Sequence, residues 1–141
     1  MNDRNKKPIV FLSTGFHQKS EEEVRKAIAD ATTSIHELIG PDVIVVHNYD
    51  CHAPDKSYKH PRLYYLGEAV KKMADVSYIY FDNGWYLHKG CIVEMMIAHI
   101  YGLKILENRA ALDDLFERGI FRNICAIKEI LIGGKIKDRN S

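Results

Sequence analysis

The side chains best suited to chemistry lie in the stretch 76–101, VSYIYFDNGWYLHKGCIVEMMIAHIY, where Asp82 and Asn83 are followed by Glu94. A carboxylate can act as base, nucleophile or simple acceptor, and its position in the fold decides which. The run Val76, Tyr78, Ile79, Tyr80 and Phe81 is short, β-branched and aromatic, and it stops at the turn-forming Asp82-Asn83-Gly84, so it reads as a buried strand. From Gly90 onward, Ile92, Val93, Met96, Ile97 and Ile100 recur at helical spacing, and Gly102 stands where a helix terminates. Glu94 is thereby expected near the first helical turn, where unpaired amides and the helix dipole favour an ionised carboxylate at neutral pH. A dipole-favoured Glu with no further role fits the same pattern.

The elements before this stretch must position it. Ile9 to Leu12 reads as a first strand running into Ser13-Thr14-Gly15-Phe16-His17, a loop of mostly small residues that lets backbone amides approach a ligand. Ser20 and Glu23 form a capping box for a helix to about Ile39, with Val24, Ala27, Ile28, Ala31, Ile35 and Leu38 as its apolar stripe and Gly40-Pro41 at its end. Val43 to Val46 suits a strand covered on both faces. The polar loop after it reaches Lys59; its start, His47 to Asp50 with Asn48, lies nearest the sheet and supplies site candidates. Pro61 opens a second helix whose expected buried stripe is Leu63, Leu66, Val70 and Met73, with Tyr64 and Tyr65 at its entrance, one as core and the other with its hydroxyl at a pocket. Lys104 to Leu106 is a fourth strand, followed by helices around Ala111 to Glu117 and Phe121 to Leu131. Residues 1–7 and 133–141 read as tails.

This alternation predicts a doubly wound α/β domain, flavodoxin- or Rossmann-like, with a mainly parallel sheet in the order 2-1-3-4, room for a fifth strand, and helices on both faces. Ligands of such sheets bind beyond the carboxyl ends of the strands at the switch point, which brings Ser13 to Phe16 opposite Asp82 to Trp85 and Glu94.

The order FDNGWxxxxGCxxE followed by AxxYG resembles a stretch of the nucleoside 2-deoxyribosyltransferase superfamily, in its small phage and bacterial branch. The resemblance covers roughly the middle third of the chain, at Asp82, Gly84, Trp85, Gly90, Cys91, Glu94, Ala98, Tyr101 and Gly102, and upstream at Tyr64, Tyr65, Leu66 and Gly67. It implies that Glu94 is the nucleophile attacking the anomeric carbon of a (deoxy)ribosyl group, and that the loop after the first strand lines the nucleotide pocket with Ser13, Gly15 and Phe16. It also implies a homo-oligomer, at least a dimer, and the C-terminal region, with more apolar helix than a small sheet needs, offers Phe121, Ile124, Ile127 and Leu131 as the contact stripe.

Cleaving an N-glycosidic bond develops oxocarbenium character, which a carboxylate beside the anomeric carbon stabilises or captures covalently. Glu94 takes that role, and Asp82 is the nearest second acid to help the base leave, with Asn83 able to hydrogen-bond. Trp85 and Phe16 offer faces for a nucleobase, although Trp85 fits a core position equally well. The loop before Glu94 is longer than the short D-S-G-T or D-P-G-T segment of typical transferases and inserts Trp85 and His88-Lys89. His88 and Lys89 either contact a phosphate or sit in a solvated loop. Hydrolysis, base exchange and non-catalytic sequestering of a nucleotide or nucleotide-derived signal remain alternatives.

Bulk properties narrow the partners. The 141 residues suit one domain that buries about two-thirds of its unfolded surface. With 20 basic and 19 acidic residues, the charge of +1 lacks the footprint of a nucleic-acid polymer binder. No apolar run is long enough for a membrane span and the start MNDRNKKP is too polar for a secretory signal, so a cytoplasmic protein is expected. Cys51, Cys91 and Cys125 lack CxxC spacing and read as reduced thiols. His52 and His60 make a thin histidine cluster, and neither a metal nor an organic cofactor is called for.

Overall fold

A computed structural model describes residues 6–16, 18–49 and 58–117. Its centre is a parallel sheet of β1 (Ile9–Ser13), β2 (Ile44–Val46), β3 (Tyr78–Phe81) and β4 (Lys104–Leu106) in the order β2-β1-β3-β4. This is the expected doubly wound α/β, Rossmann-like arrangement. Register follows the pleat: Val10 pairs with Val45 and Tyr78, Phe11 with Val46 and Ile79, and Ser13 with Phe81.

Because side chains alternate across a strand, each face of β1 and β3 feeds a different core. Val10, Leu12 and Tyr80 pack with Ala31 and Ile35 of α1 (Glu21–Ile39). Phe11, Ile79 and Phe81 pack with Ala69 and Met73 of α2 (Pro61–Met73) and with Cys91 and Ala98 of α3 (Lys89–Ile100). Ile79 is fully buried, so its truncation to Ala would cost about 2 to 5 kcal/mol. Ser13 continues the Phe11 face, which aims it at α3.

The helix ends follow local chemistry. Ser20 caps α1, accepting the Glu23 N–H at 3.1 Å, and Gly40 closes it at φ 103, donating to the His36 carbonyl at 2.8 Å. The last helix among the described residues, α4 (Arg109–Glu117), starts directly after Asn108.

Two local expectations change. The buried face of α2 is Ala69 and Met73, whereas Leu63 is 62 % exposed and Val70 also lies in the open; the helix is rotated relative to the stripe that apolarity alone suggests, because small Ala69 allows close approach to the sheet. The run 43–46 includes an edge strand of the described sheet whose two faces are covered in part, Val46 packing on the α2 and α3 side and Val43 and Val45 on the α1 side, while Ile44 is exposed. No helix among the described residues is long and apolar enough to cross a membrane. The tail 133–141, the helix and contact stripe within 121–131, and His52, Cys51 and Cys125 lie outside the described residues.

Candidate functional site

The site is built where β1 and β3 end. The Asp82 N–H donates to the Ser13 carbonyl at 2.9 Å, extending the pairing one step past Ser13 and Phe81. The chain then turns: the Trp85 N–H donates to the Asp82 carbonyl at 3.1 Å, and Gly84 sits at φ 76, a left-handed conformation that a side chain would strain. A short 3-10 turn over Trp85–Leu87 leads to His88 and the start of α3.

Helix α3 begins at Lys89, which puts Glu94 in its second turn, past the unpaired amides of the first. The expected placement near the first turn is corrected accordingly, and with it the expectation of a fully ionised carboxylate. Glu94 is buried, 7 % exposed, on the inward stripe with Cys91 and Ala98. Ser13 Oγ donates to Glu94 Oε1 at 3.3 Å, and Oε2 is buried with no hydrogen-bond partner among the described residues. Burial pushes the Glu94 carboxyl up to about 7, while the Ser13 hydrogen bond pulls it the other way. The group therefore changes charge around neutral pH.

Cys91 lies one turn before Glu94 on the same face. Burial pushes its thiol up to about 12 and the neighbouring Glu94 charge adds to this, with Ser13 opposing. At neutral pH it is a buried thiol, free but not a nucleophile.

Asp82 is conditioned differently. It is half-buried, and both of its oxygens are engaged: Thr14 Oγ1 donates to Oδ2 at 3.0 Å and the Asn83 N–H to Oδ1 at 2.9 Å. Asn83 is exposed, and its side-chain oxygen accepts from Asn108 Nδ2 at 3.1 Å. Asn108 also donates to the Phe81 carbonyl at 2.9 Å and accepts the Ala111 N–H at 3.2 Å, so the residue that caps α4 also braces the turn carrying Asp82. An Asn directly before an amphipathic run is a legible cap signal, but its bond to Asn83 has no signature in the sequence.

The walls come from the neighbouring loops. Gly15 is buried under the His88 ring, so close that a β-carbon there would stand about 2.1 Å from it. His88 is thus half-buried against the first loop rather than in a solvated one; it sits just before a helix, and spacing alone gives no hint of which way its ring turns. Phe16 meets Tyr49 at a centroid distance of 5.3 Å, joining the first and second loops, and Asn48 donates to the Tyr65 carbonyl at 2.8 Å. Tyr64 packs against Tyr58 and Tyr65 at the start of α2. Gly90 lies in the open first turn of α3 with no atom where a β-carbon would go. Trp85 joins the core, 8 % exposed against Phe81 and Tyr86; of the two readings of that ring the core one holds, and no free face is left for a base.

The structure therefore brings together Ser13, Thr14, Asp82, Asn83, Gly84 and Glu94. Gly15 and Phe16 form a rim, and Asn48 and Tyr64 stand on the β2 side. A separate depression of about 290 Å³ opens toward α1, lined by Ser34, Glu37, Leu38, Tyr80 and Arg109, and it shares Asn108 with the Asp82 network. Compared with known proteins, the chain matches no family model, no curated protein and no solved structure.

Proposed function

We propose that this protein acts on the N-glycosidic bond of a (deoxy)nucleoside or nucleoside 5′-monophosphate, with Glu94 as nucleophile. The observation that carries the reading is Glu94 Oε2, a carboxylate oxygen buried at the carboxyl ends of β1 and β3 with no partner among the described residues. A buried acceptor left unpaired is destabilising, and such groups concentrate where a ligand completes them. In the reaction, a Glu94 oxygen bonds to C1′ as the C1′–N bond breaks and the base departs; water or a second base then takes the sugar, releasing the carboxylate. Asp82, fixed by Thr14 and the Asn83 amide, holds the departing base by accepting from an N–H of its edge, and the base takes up its proton from water. The nucleophile must be ionised, so turnover rises with pH through about 7. The resemblance of the Asp82 to Gly102 stretch to nucleoside 2-deoxyribosyltransferases supports the same assignment from the residue pattern.

A second reading is favoured by the burial that raises Glu94. A neutral carboxyl both donates and accepts hydrogen bonds, and can hold a nucleotide without attacking it, which makes a sequestering module. Mass spectrometry of the protein with a panel of ribo- and deoxyribonucleosides and their 5′-monophosphates separates the two. Released base, exchanged base or a sugar adduct supports the enzyme; a retained, unaltered nucleotide supports the binder; neither binding nor release removes both.

Self-association belongs to the same proposal. Helix α3 ends on exposed apolar side chains, Ile100 and the following Tyr101, while Met96 packs against the core. Exposed apolar side chains of this kind suit a covering partner. The expected result is at least a dimer by light scattering at micromolar concentration, and a monomer there would remove this part.

A further inference from the structure

Ser13 and Thr14 are consecutive residues at the end of β1, and their hydroxyls go to different carboxylates. Ser13 Oγ donates to Glu94 Oε1 at 3.3 Å, and Thr14 Oγ1 donates to Asp82 Oδ2 at 3.0 Å. The split follows from strand geometry. Successive side chains leave a strand on opposite sides, so one faces α3 and the other the end of β3. Both residues are buried, so water does not compete strongly for either bond.

We propose that Ser13 and Thr14 are a positioning pair for the glycosyl chemistry, Ser13 turning Glu94 so that Oε2 is the attacking oxygen, and Thr14 holding Asp82 at the leaving base. The proposal rests on the reading of Glu94 as nucleophile given above. Its physical content is a division of the Glu94 carboxylate. An oxygen that accepts a hydroxyl is fixed in place and its lone pair is engaged, whereas the other keeps its full nucleophilicity and is aimed by the first. The same bond acts against burial on the charge of Glu94, because a donor to the ionised form favours it. Cys91 beside it stays protonated and so does not compete for the sugar. On the other side, Asp82 has no oxygen left to rotate, since the Asn83 amide holds the second one. The dipeptide thus fixes two carboxylates from a single strand end, which no helix-borne residue could do.

The test uses Ser13→Ala, Ser13→Thr, Thr14→Val and Thr14→Ser in the full chain, with two readouts. The first is a ¹³C NMR titration of the carboxyl carbons of Glu-labelled protein without nucleotide, with the Glu94 signal assigned by its loss in Glu94→Gln. The second is the pH profile of base release from the common ribo- and deoxyribonucleoside 5′-monophosphates. In Ser13→Ala the Glu94 inflection moves above its wild-type position near 7, and kcat at pH 7 falls roughly tenfold or more, recovering in part at alkaline pH. Ser13→Thr restores both. Thr14→Val lowers kcat without moving the inflection, and Thr14→Ser restores it. A Glu94 inflection unmoved by Ser13→Ala, or a Thr14→Val enzyme at full rate, overturns the positioning pair. A wild type that releases no base from any monophosphate overturns the glycosyl reading instead, and the titration still reports whether Ser13 governs Glu94.

Discussion

Glu94 and Asp82 stand at the ends of adjoining elements and share the residue pair that holds them, yet their surroundings are opposite. Asp82 is half-open to solvent, with both oxygens engaged by Thr14 and the Asn83 amide, and its turn is braced from behind by Asn108. Glu94 is buried, with one oxygen held by Ser13 and the other unpaired. The contrast is one of satisfaction: Asp82 has both oxygens paired, whereas Glu94 keeps one buried oxygen unpaired among the described residues, a state that costs free energy.

Removing the charge of Glu94 is the strongest way to break this contrast. Glu94→Gln keeps the size of the side chain and lets its carbonyl oxygen accept from Ser13, but it leaves no anion for an oxocarbenium-like centre. Base release is expected to fall by about 10³-fold or more, with nucleotide binding retained. Full turnover by the Gln variant, read by mass spectrometry of released base, would remove Glu94 as nucleophile.

The same substitution has a stability effect whose sign follows from burial. The folded-state value of Glu94 lies near 7, above the ordinary 4.5, so its favourable contribution is fully present below pH 4.5 and is lost as pH rises through 7. The span corresponds to about 3 kcal/mol. Glu94→Gln does not titrate, so its stability relative to wild type should climb over that window, by roughly 10 °C in melting temperature between pH 4 and pH 8. Parallel melting curves at all pH values would mean that Glu94 is not desolvated.

Asp82 should respond differently. Asp82→Asn can accept the Asn83 N–H on its oxygen and donate to Thr14 from its amide, so both restraints survive and only the charge goes. Activity is expected to fall about a hundredfold, with stability changed by less than about 1 kcal/mol. A loss of stability comparable to that of a core truncation would show that Asp82 is chiefly structural.

How much of this was legible depended on whether a feature is local. Strand order, the Ser20 cap and the β4 span Lys104–Leu106 follow from periodicity, capping chemistry and crossover handedness, and all three stand as read. The burial of Glu94 did not follow. Glu94 lies past the first full helical turn whether α3 starts at Lys89 or Gly90, and its desolvation comes from the face of α3 that packs toward Ser13, which apolar spacing does not reveal. The α2 face was misread for a related reason: large apolar Leu63 and Val70 outweigh Ala69 in a pattern, although the small residue is the one that lets helix and sheet meet. Contacts set by side-chain direction across the fold, such as His88 over Gly15 and Asn108 to Asn83, leave no trace in spacing.

The smallest effect sharpens the comparison from the Asp82 side. Asn108 has two functions, since its oxygen caps α4 through the Ala111 N–H and its amide donates to the Phe81 carbonyl and the Asn83 side chain. Asn108→Ala removes both and should lower stability by about 1 to 2 kcal/mol, roughly 3 to 8 °C in melting temperature. Asn108→Asp separates them. Its carboxylate still caps the helix, and its charge suits a helix N-terminus, but it cannot donate to either oxygen on the β3 side. If the brace matters to the turn, Asn108→Asp loses activity while keeping most of the stability, because Asn83 is freed and the second restraint on Asp82 loosens. In both variants the NMR inflection of Glu94 should stay where it is, since Ser13 and α3 hold that carboxylate without help from α4. An inflection that moved with Asn108 would show that the two carboxylates are one coupled unit, and the division of labour between them would have to be redrawn.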